Sequence, residues 1–202
     1  MSGTAGRAEG TWVFGYGSLA SPDSFGNTIG RVVDPHVDVV VARLTGFGRR
    51  WNYGSLHLRG DWRHDGVMVR RGLVVSLGLT AAVDESCNGI AVRVSDDELA
   101  LLDHRERDYE RTDVTDAIAT TVTGARAEPE RPAGRVVTYV PRPSAVERYE
   151  QARDEGRAAV RRSYWELVHD AFGLLGADHL ELLGRTPPPD VPVVDIVLAP
   201  HD

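Results

Sequence analysis

The sequence predicts an α+β fold: a compact, mostly antiparallel β-sheet with flanking helices. Three observations predict it. Strand-like runs dominate the first two-thirds of the chain. Helical periodicity gathers in the last third. One capped helix stands between strands, without the regular strand–helix alternation of a parallel sheet. A chain of 202 residues, 42% hydrophobic and 26% charged, suits one domain with a substantial core. The expected division is a disordered lead-in over residues 1–10, a single domain over 11–185 and a proline-rich tail over 186–202.

The elements follow in order. Residues 11–14 form a short apolar strand that ends in Gly15-Tyr16-Gly17-Ser18. Ser21-Pro22-Asp23 opens a short helix reaching Ile29. Residues 37–44 read as a valine-rich strand, 46–59 as a loop carrying aromatics and arginines, and 73–79 and 89–94 as two further strands. Ser95 and Glu98 form a capping box, which predicts a helix over 96–105. Strands are expected over 114–123 and 135–140, and a helix over 143–153. Val160, Tyr164, Leu167, Val168 and Phe172 recur at spacings of three and four, which predicts a helix over 157–172. A short helix over 177–183 precedes the tail, which ends in an apolar run over 193–198.

Composition excludes several classes. All 23 basic residues are arginine, so Schiff-base, Walker-A and kinase-type lysines are absent. A net charge of −7 disfavours nucleic-acid binding, and the run Arg49-Arg50-Trp51-Asn52-Tyr53 reads as a buried or substrate-facing cluster. The single Cys87 excludes an intramolecular disulfide and any multi-cysteine metal site. His57, Asp61, His64 and Asp65 imitate a metal cluster, but Arg59 and Arg63 oppose a cation there. No apolar run has membrane-spanning length and no signal-peptide core opens the chain, so a cytoplasmic protein without membrane or metal is expected.

Gly15-Tyr16-Gly17-Ser18-Leu19-Ala20 admits three readings. As G-x-G-x-x-A after a strand it matches the dinucleotide fingerprint, but Ser21-Pro22, Gly26 and Gly30 interrupt the long helix that fingerprint requires. A plain strand-to-loop turn is the second. In the third, two glycines bring backbone N–H groups close to a ligand, where they hold a carboxylate or a developing oxyanion, with Ser18 as a further donor. Such a loop needs an acid or base to become a catalyst. Glu106 is the candidate, because a carboxylate at a helix C-terminus meets an unfavourable dipole that raises its pKa. Arg105 and Arg107 act in the opposite sense, and a solvated charge run is the alternative.

Val13-Phe14-Gly15-Tyr16-Gly17-Ser18-Leu19 resembles the N-terminal signature of the gamma-glutamylcyclotransferase superfamily. Leu102-Asp103-His104-Arg105-Glu106 is similar to its second block, which ends in the catalytic glutamate. Pro143-Ser144 with Tyr149 and Gly156 is similar to a C-terminal block that contributes a substrate-binding tyrosine. The Arg-Glu pair leans towards the ChaC-like branch, although Arg107-Asp108-Tyr109 replaces that branch's glycine-rich step.

The resemblance implies a partly barrel-like sheet and a cofactor-independent reaction. In it, the α-amine of a γ-glutamyl amide attacks its own γ-carbonyl, releasing 5-oxoproline and an amine. It implies Glu106 as general acid and base. Val13, Phe14, Gly15, Tyr16, Gly17, Ser18 and Tyr149 would hold a small γ-glutamyl amino acid, γ-glutamyl amine or glutathione. A binding or regulatory module on the same fold, without turnover, is the other class.

Overall fold

In the computed structural model, residues 10–120 and 132–200 are described. The expected lead-in therefore lies almost wholly outside the described residues, as do positions 121–123 of an expected strand.

Among the described residues, nine strands form one mixed, mostly antiparallel sheet, and five α-helices accompany it. β1 (Thr11–Gly15) lies at its centre, antiparallel to β3 (Val67–Val94) and parallel to β6 (Val136–Pro141). β3 also pairs with β2 (Val39–His64), and β4 (Tyr109–Asp113) and β5 (Ile118–Thr120) stand at the two ends of the strand path. Six flat strands would hold those ends roughly 24 Å apart. Residues 114–117 alone join them, a reach of about 18 Å at most. The sheet therefore curls. Val114 N–H donates to the Val136 carbonyl at 2.9 Å and Thr45 N–H to the Ala117 carbonyl at 2.9 Å, so the linker bonds to both sides.

Alternation along β1 divides the core. Phe14 enters a cluster with Leu44, Val75, Leu77 and Phe172 inside the curled sheet. Val13 points the other way, to Phe25 and Ile29 of α1 (Pro22–Ile29) and Leu102 of α2 (Asp96–Arg105). The capping box starts α2 as expected: Ser95 Oγ accepts from Glu98 N–H at 3.3 Å and Glu98 Oε2 from Ser95 N–H at 2.8 Å.

Four expectations are corrected, the first being the strand read over 114–123, of which 114–117 is the turn between β4 and β5 and 118–120 is strand. The loop read over 46–59 is strand, because register shifts at Thr45/Phe47, Arg50/Tyr53 and Gly54/Arg59 break the two-residue alternation that reveals strands. The runs at 73–79 and 89–94 belong to one strand, β3. The helix expected from 157 begins later: Ala158–Arg161 is β7, parallel to β3, and α4 runs Arg162–Leu175. Buried Ala158, Ala159 and Val160 fit a short internal strand as well as a helical stripe.

α3 (Pro143–Asp154) packs on β2, and α5 (Ala177–Gly184) precedes the tail. The tail contributes β8 (Val193–Val194) beside β7 and β9 (Val197–Leu198) beside β2. Among the described residues no helix is long and apolar enough to cross a membrane.

Leu102 is fully buried one turn before the end of α2. Leu102→Ala is expected to cost about 2–5 kcal/mol of unfolding free energy, measured by urea denaturation.

Candidate functional site

The sheet brings the glycine loop to the end of α2. After β1 the chain turns through Gly17 into a single 3-10 turn, Ser18–Ala20, and only then into α1. Glycine is required at 15, where an added Cβ would stand 2.4 Å from the Leu19 carbonyl oxygen. Among the described residues no acceptor is paired with the N–H of Gly17 or of Leu19. β1 pairs with β3 and β6 and not with β2, so the strand–helix–strand crossover of a dinucleotide site is absent. Arg49 of the arginine and aromatic run is buried and donates to the Asn88 carbonyl, and Trp51 is buried as well.

Glu106 caps the C-terminus of α2, its N–H bonded to the Leu102 carbonyl at 2.8 Å. Its side chain is 12% exposed and faces a narrow pocket. Phe14, Gly15, Tyr16, Gly17, Ser18 and Leu19 line that pocket with Leu77, Tyr109, Tyr139 and Tyr164. The pocket holds about 310 Å³ of space, its mouth included. A wider cleft adjoins it at Ser18, Glu106, Tyr109 and Tyr164 and holds about 1220 Å³ on the same measure.

Burial pushes the Glu106 carboxyl above the usual glutamate range, and the Arg105 guanidinium opposes that shift. Arg105 Nε lies 3.0 Å from Glu106 Oε1. The same guanidinium donates to Ser18 Oγ at 2.8 Å, the Ser24 carbonyl at 3.1 Å and Thr28 Oγ1 at 2.5 Å. Arg105 thus ties the carboxylate to the loop and to α1. Arg107 turns away and donates to His57 Nε2 at 3.2 Å.

Of the residues singled out by sequence, Phe14, Gly15, Tyr16, Gly17, Ser18 and Glu106 meet in one pocket. Val13 lies behind it, fully buried against α1 and α2. Tyr149 lies outside it, on α3, where its hydroxyl donates to Asp190 of the tail. Tyr109, Tyr139 and Tyr164 line the pocket and were not singled out. Of the candidate metal residues, Asp61 pairs with Arg70 at 2.6 Å, His57 with Arg107, and His64 with Asp65 at 3.4 Å.

Residues 11–161 match the family profile for ChaC-like proteins. No curated protein matches the chain. Among solved structures, a human protein of uncharacterised function is 15% identical, over 93% of this chain and 94% of its own, at a TM-score of 0.52. YkqA from Bacillus subtilis is 17% identical, over 88% of this chain and 54% of its own, at a TM-score of 0.51. A structure titled gamma-glutamyl cyclotransferase is 14% identical, over 89% of each chain, at a TM-score of 0.49.

A raised carboxyl pKa links folding to pH in one direction. The Glu106 contribution is fully present below the ordinary glutamate pKa of about 4.3 and is lost as pH rises through the folded value. Glu106→Gln removes the buried charge. Thermal unfolding is expected to show the variant more stable than wild type at pH 8, with the difference shrinking towards pH 4 as wild-type Glu106 protonates.

Proposed function

The chain belongs to the ChaC-like family of the gamma-glutamylcyclotransferase superfamily, and on that premise we propose that it cleaves a γ-glutamyl amide by intramolecular attack, releasing 5-oxoproline. The observation that carries this reading is the placing of a mostly buried glutamate against a glycine loop with unpaired N–H groups, where burial pushes its carboxyl above the usual range. Val13 supports the loop from behind and Tyr149 anchors the tail, so neither is assigned to substrate.

The step needs little from the protein beyond shape and one proton carrier. The γ-glutamyl group folds against the loop with its α-carboxylate on the N–H groups of Gly17 and Leu19. Glu106 takes a proton from the α-ammonium, and the freed nitrogen attacks the γ-carbonyl carbon. As the amide bond breaks, Glu106 returns its proton to the departing nitrogen. The proton shed by the new ring nitrogen leaves with the amine, which departs as an ammonium. Orientation of an intramolecular attack supplies as much as about 7–11 kcal/mol of the barrier, and a positioned acid–base group adds roughly 10²–10⁴-fold. The partner in this reading is a small γ-glutamyl compound met in the cytoplasm, with neither nucleic acid nor membrane involved.

The wider cleft favours a class of leaving amine. It is lined by Arg107 and Arg161, and among the described residues neither side chain is paired with a carboxylate. A chain of net charge −7 thus presents two cations without a carboxylate partner in the cleft that adjoins its candidate base. That suits a departing amine which itself carries a carboxylate, as in a γ-glutamyl amino acid or peptide.

Mass-spectrometric detection of 5-oxoproline from a γ-glutamyl panel tests the reaction. Wild type is expected to form it, and Glu106→Gln to bind substrate but lose at least about 10²-fold in kcat. Glutamate as the product would point to hydrolysis instead. Within the panel, carboxylate-bearing leaving groups are expected to exceed neutral alkylamines by about 10–100-fold in kcat/KM, the size of one charge-assisted hydrogen bond. Arg161→Gln is expected to narrow that ratio. Equal rates for both classes would remove the arginines from the assignment.

A further inference from the structure

Five of the chain's six tyrosines stand around Glu106, and four have already committed their hydroxyl protons. Tyr16 donates to the Tyr139 carbonyl at 2.7 Å, Tyr109 to the Leu77 carbonyl at 3.1 Å and Tyr139 to Asp103 Oδ1 at 2.9 Å. Tyr53, in the wider cleft, donates to Asp108 at 3.4 Å.

Tyr164 is arranged the other way round. Its oxygen accepts the Leu77 N–H at 3.3 Å, and the Ser18 N–H stabilises the same oxygen. Among the described residues no acceptor takes its proton. The hydroxyl lies directly on the glycine loop, 3.0 Å from where a Cβ on Gly17 would stand. N–H groups that donate to a phenol oxygen draw electron density from it and strengthen its O–H as a donor.

We propose that Tyr164 is a further catalytic residue, whose hydroxyl donates a hydrogen bond to the γ-carbonyl oxygen as negative charge develops there. The proposal rests on the cyclotransferase reading above and deepens it. The choice of oxygen follows from charge. Glu106 must reach the α-nitrogen, so the reacting end of the substrate lies beside it. The substrate's α-carboxylate is repelled by Glu106 and turns to the loop N–H groups instead. Tyr164 shares the Glu106 end of the pocket and is the hydroxyl there with a proton to give.

As the α-nitrogen bonds to the γ-carbon, the carbonyl π pair moves onto oxygen and is held by Tyr164 O–H. When that pair re-forms the carbonyl, the γ-carbon to leaving-nitrogen bond breaks with Glu106 supplying the proton. Tyr164 keeps its own proton throughout. Burial lifts the phenol to about 12, so it remains a donor through neutral pH. The charged and titratable groups that face it are Glu106 and Arg105 from α2, Tyr16, Tyr109 and the buried Arg49 of β2.

The test begins with 5-oxoproline formation by wild type, which judges the cyclotransferase reading before any variant is made. No product from any γ-glutamyl compound would overturn that reading, and this assignment with it. With an active wild type, Tyr164→Phe is expected to lose roughly 10²–10³-fold in kcat with KM changed only a few-fold. A kcat within about threefold of wild type would overturn the proposal while leaving the reaction intact.

Phenylalanine also strands the Leu77 and Ser18 N–H groups, so a second variant separates chemistry from folding. A fluorotyrosine placed at 164 keeps the shape and the acceptor role but ionises at lower pH. The alkaline limb of its kcat profile is expected to move to lower pH while the acid limb stays in place. An unmoved alkaline limb would overturn the proposal even if Tyr164→Phe proves inactive or unfolded.

Discussion

A carboxylate taken out of water is the constraint on which this site depends. Glu106 sits at the C-terminus of α2, where the helix dipole and burial both resist its negative charge. One close cation compensates, and Arg105 can be that cation only because two other elements hold it. Ser18 fixes it to the loop, and Ser24 and Thr28 fix it to α1. Those contacts bring α1, α2 and the loop after β1 into one arrangement. The folded scaffold therefore carries the cost of keeping Glu106 basic, and a mostly buried base is what proton exchange with a substrate amine requires.

The central strand makes that arrangement possible. β1 receives hydrogen bonds on both edges, from β3 and β6, so the loop at its end starts from a fixed point. Thr138 Oγ1 donates to the Phe14 carbonyl at 2.9 Å immediately before the loop, and Tyr16 reaches across to the Tyr139 carbonyl. Gly89 precedes Ile90, the ladder partner of Gly15, and an added Cβ there would stand 2.2 Å from the Gly15 carbonyl oxygen. The glycines of this region serve close approach between strand and turn, and the free N–H groups of Gly17 and Leu19 are its result.

What was legible in the sequence was local. The capping box of Ser95 and Glu98 spans four residues and reads directly, and with it the end of α2 and the position of Glu106. The glycine loop reads for the same reason. Long-range pairing hid the rest. β2 was obscured because its bulges interrupt alternation, so a strand of 26 residues presented itself as a strand and a loop. Tyr164 was obscured because its position depends on Leu77 and Ser18, which are 87 and 146 residues away in the chain. Its apolar neighbours placed it on a helical stripe, where a tyrosine reads as core. Tyr149 shows the converse. Its motif was legible, but Asp190, which lies in a tail with no periodicity, takes its hydroxyl.

On the proposed cyclotransferase reading, the same geometry bears on why ring closure would prevail over hydrolysis. Attack by the substrate's own nitrogen needs no second molecule in the pocket, and its advantage in orientation reaches about 7–11 kcal/mol. A water molecule would have to be held, deprotonated and aimed by groups that the pocket has already committed. Three of its four tyrosines donate to protein oxygens, and Arg105 is shared among Glu106, Ser18, Ser24 and Thr28. A pocket with one base, one free hydroxyl proton and a few loop N–H groups is equipped for a nucleophile that arrives already attached to its target. It is poorly equipped to recruit a separate one.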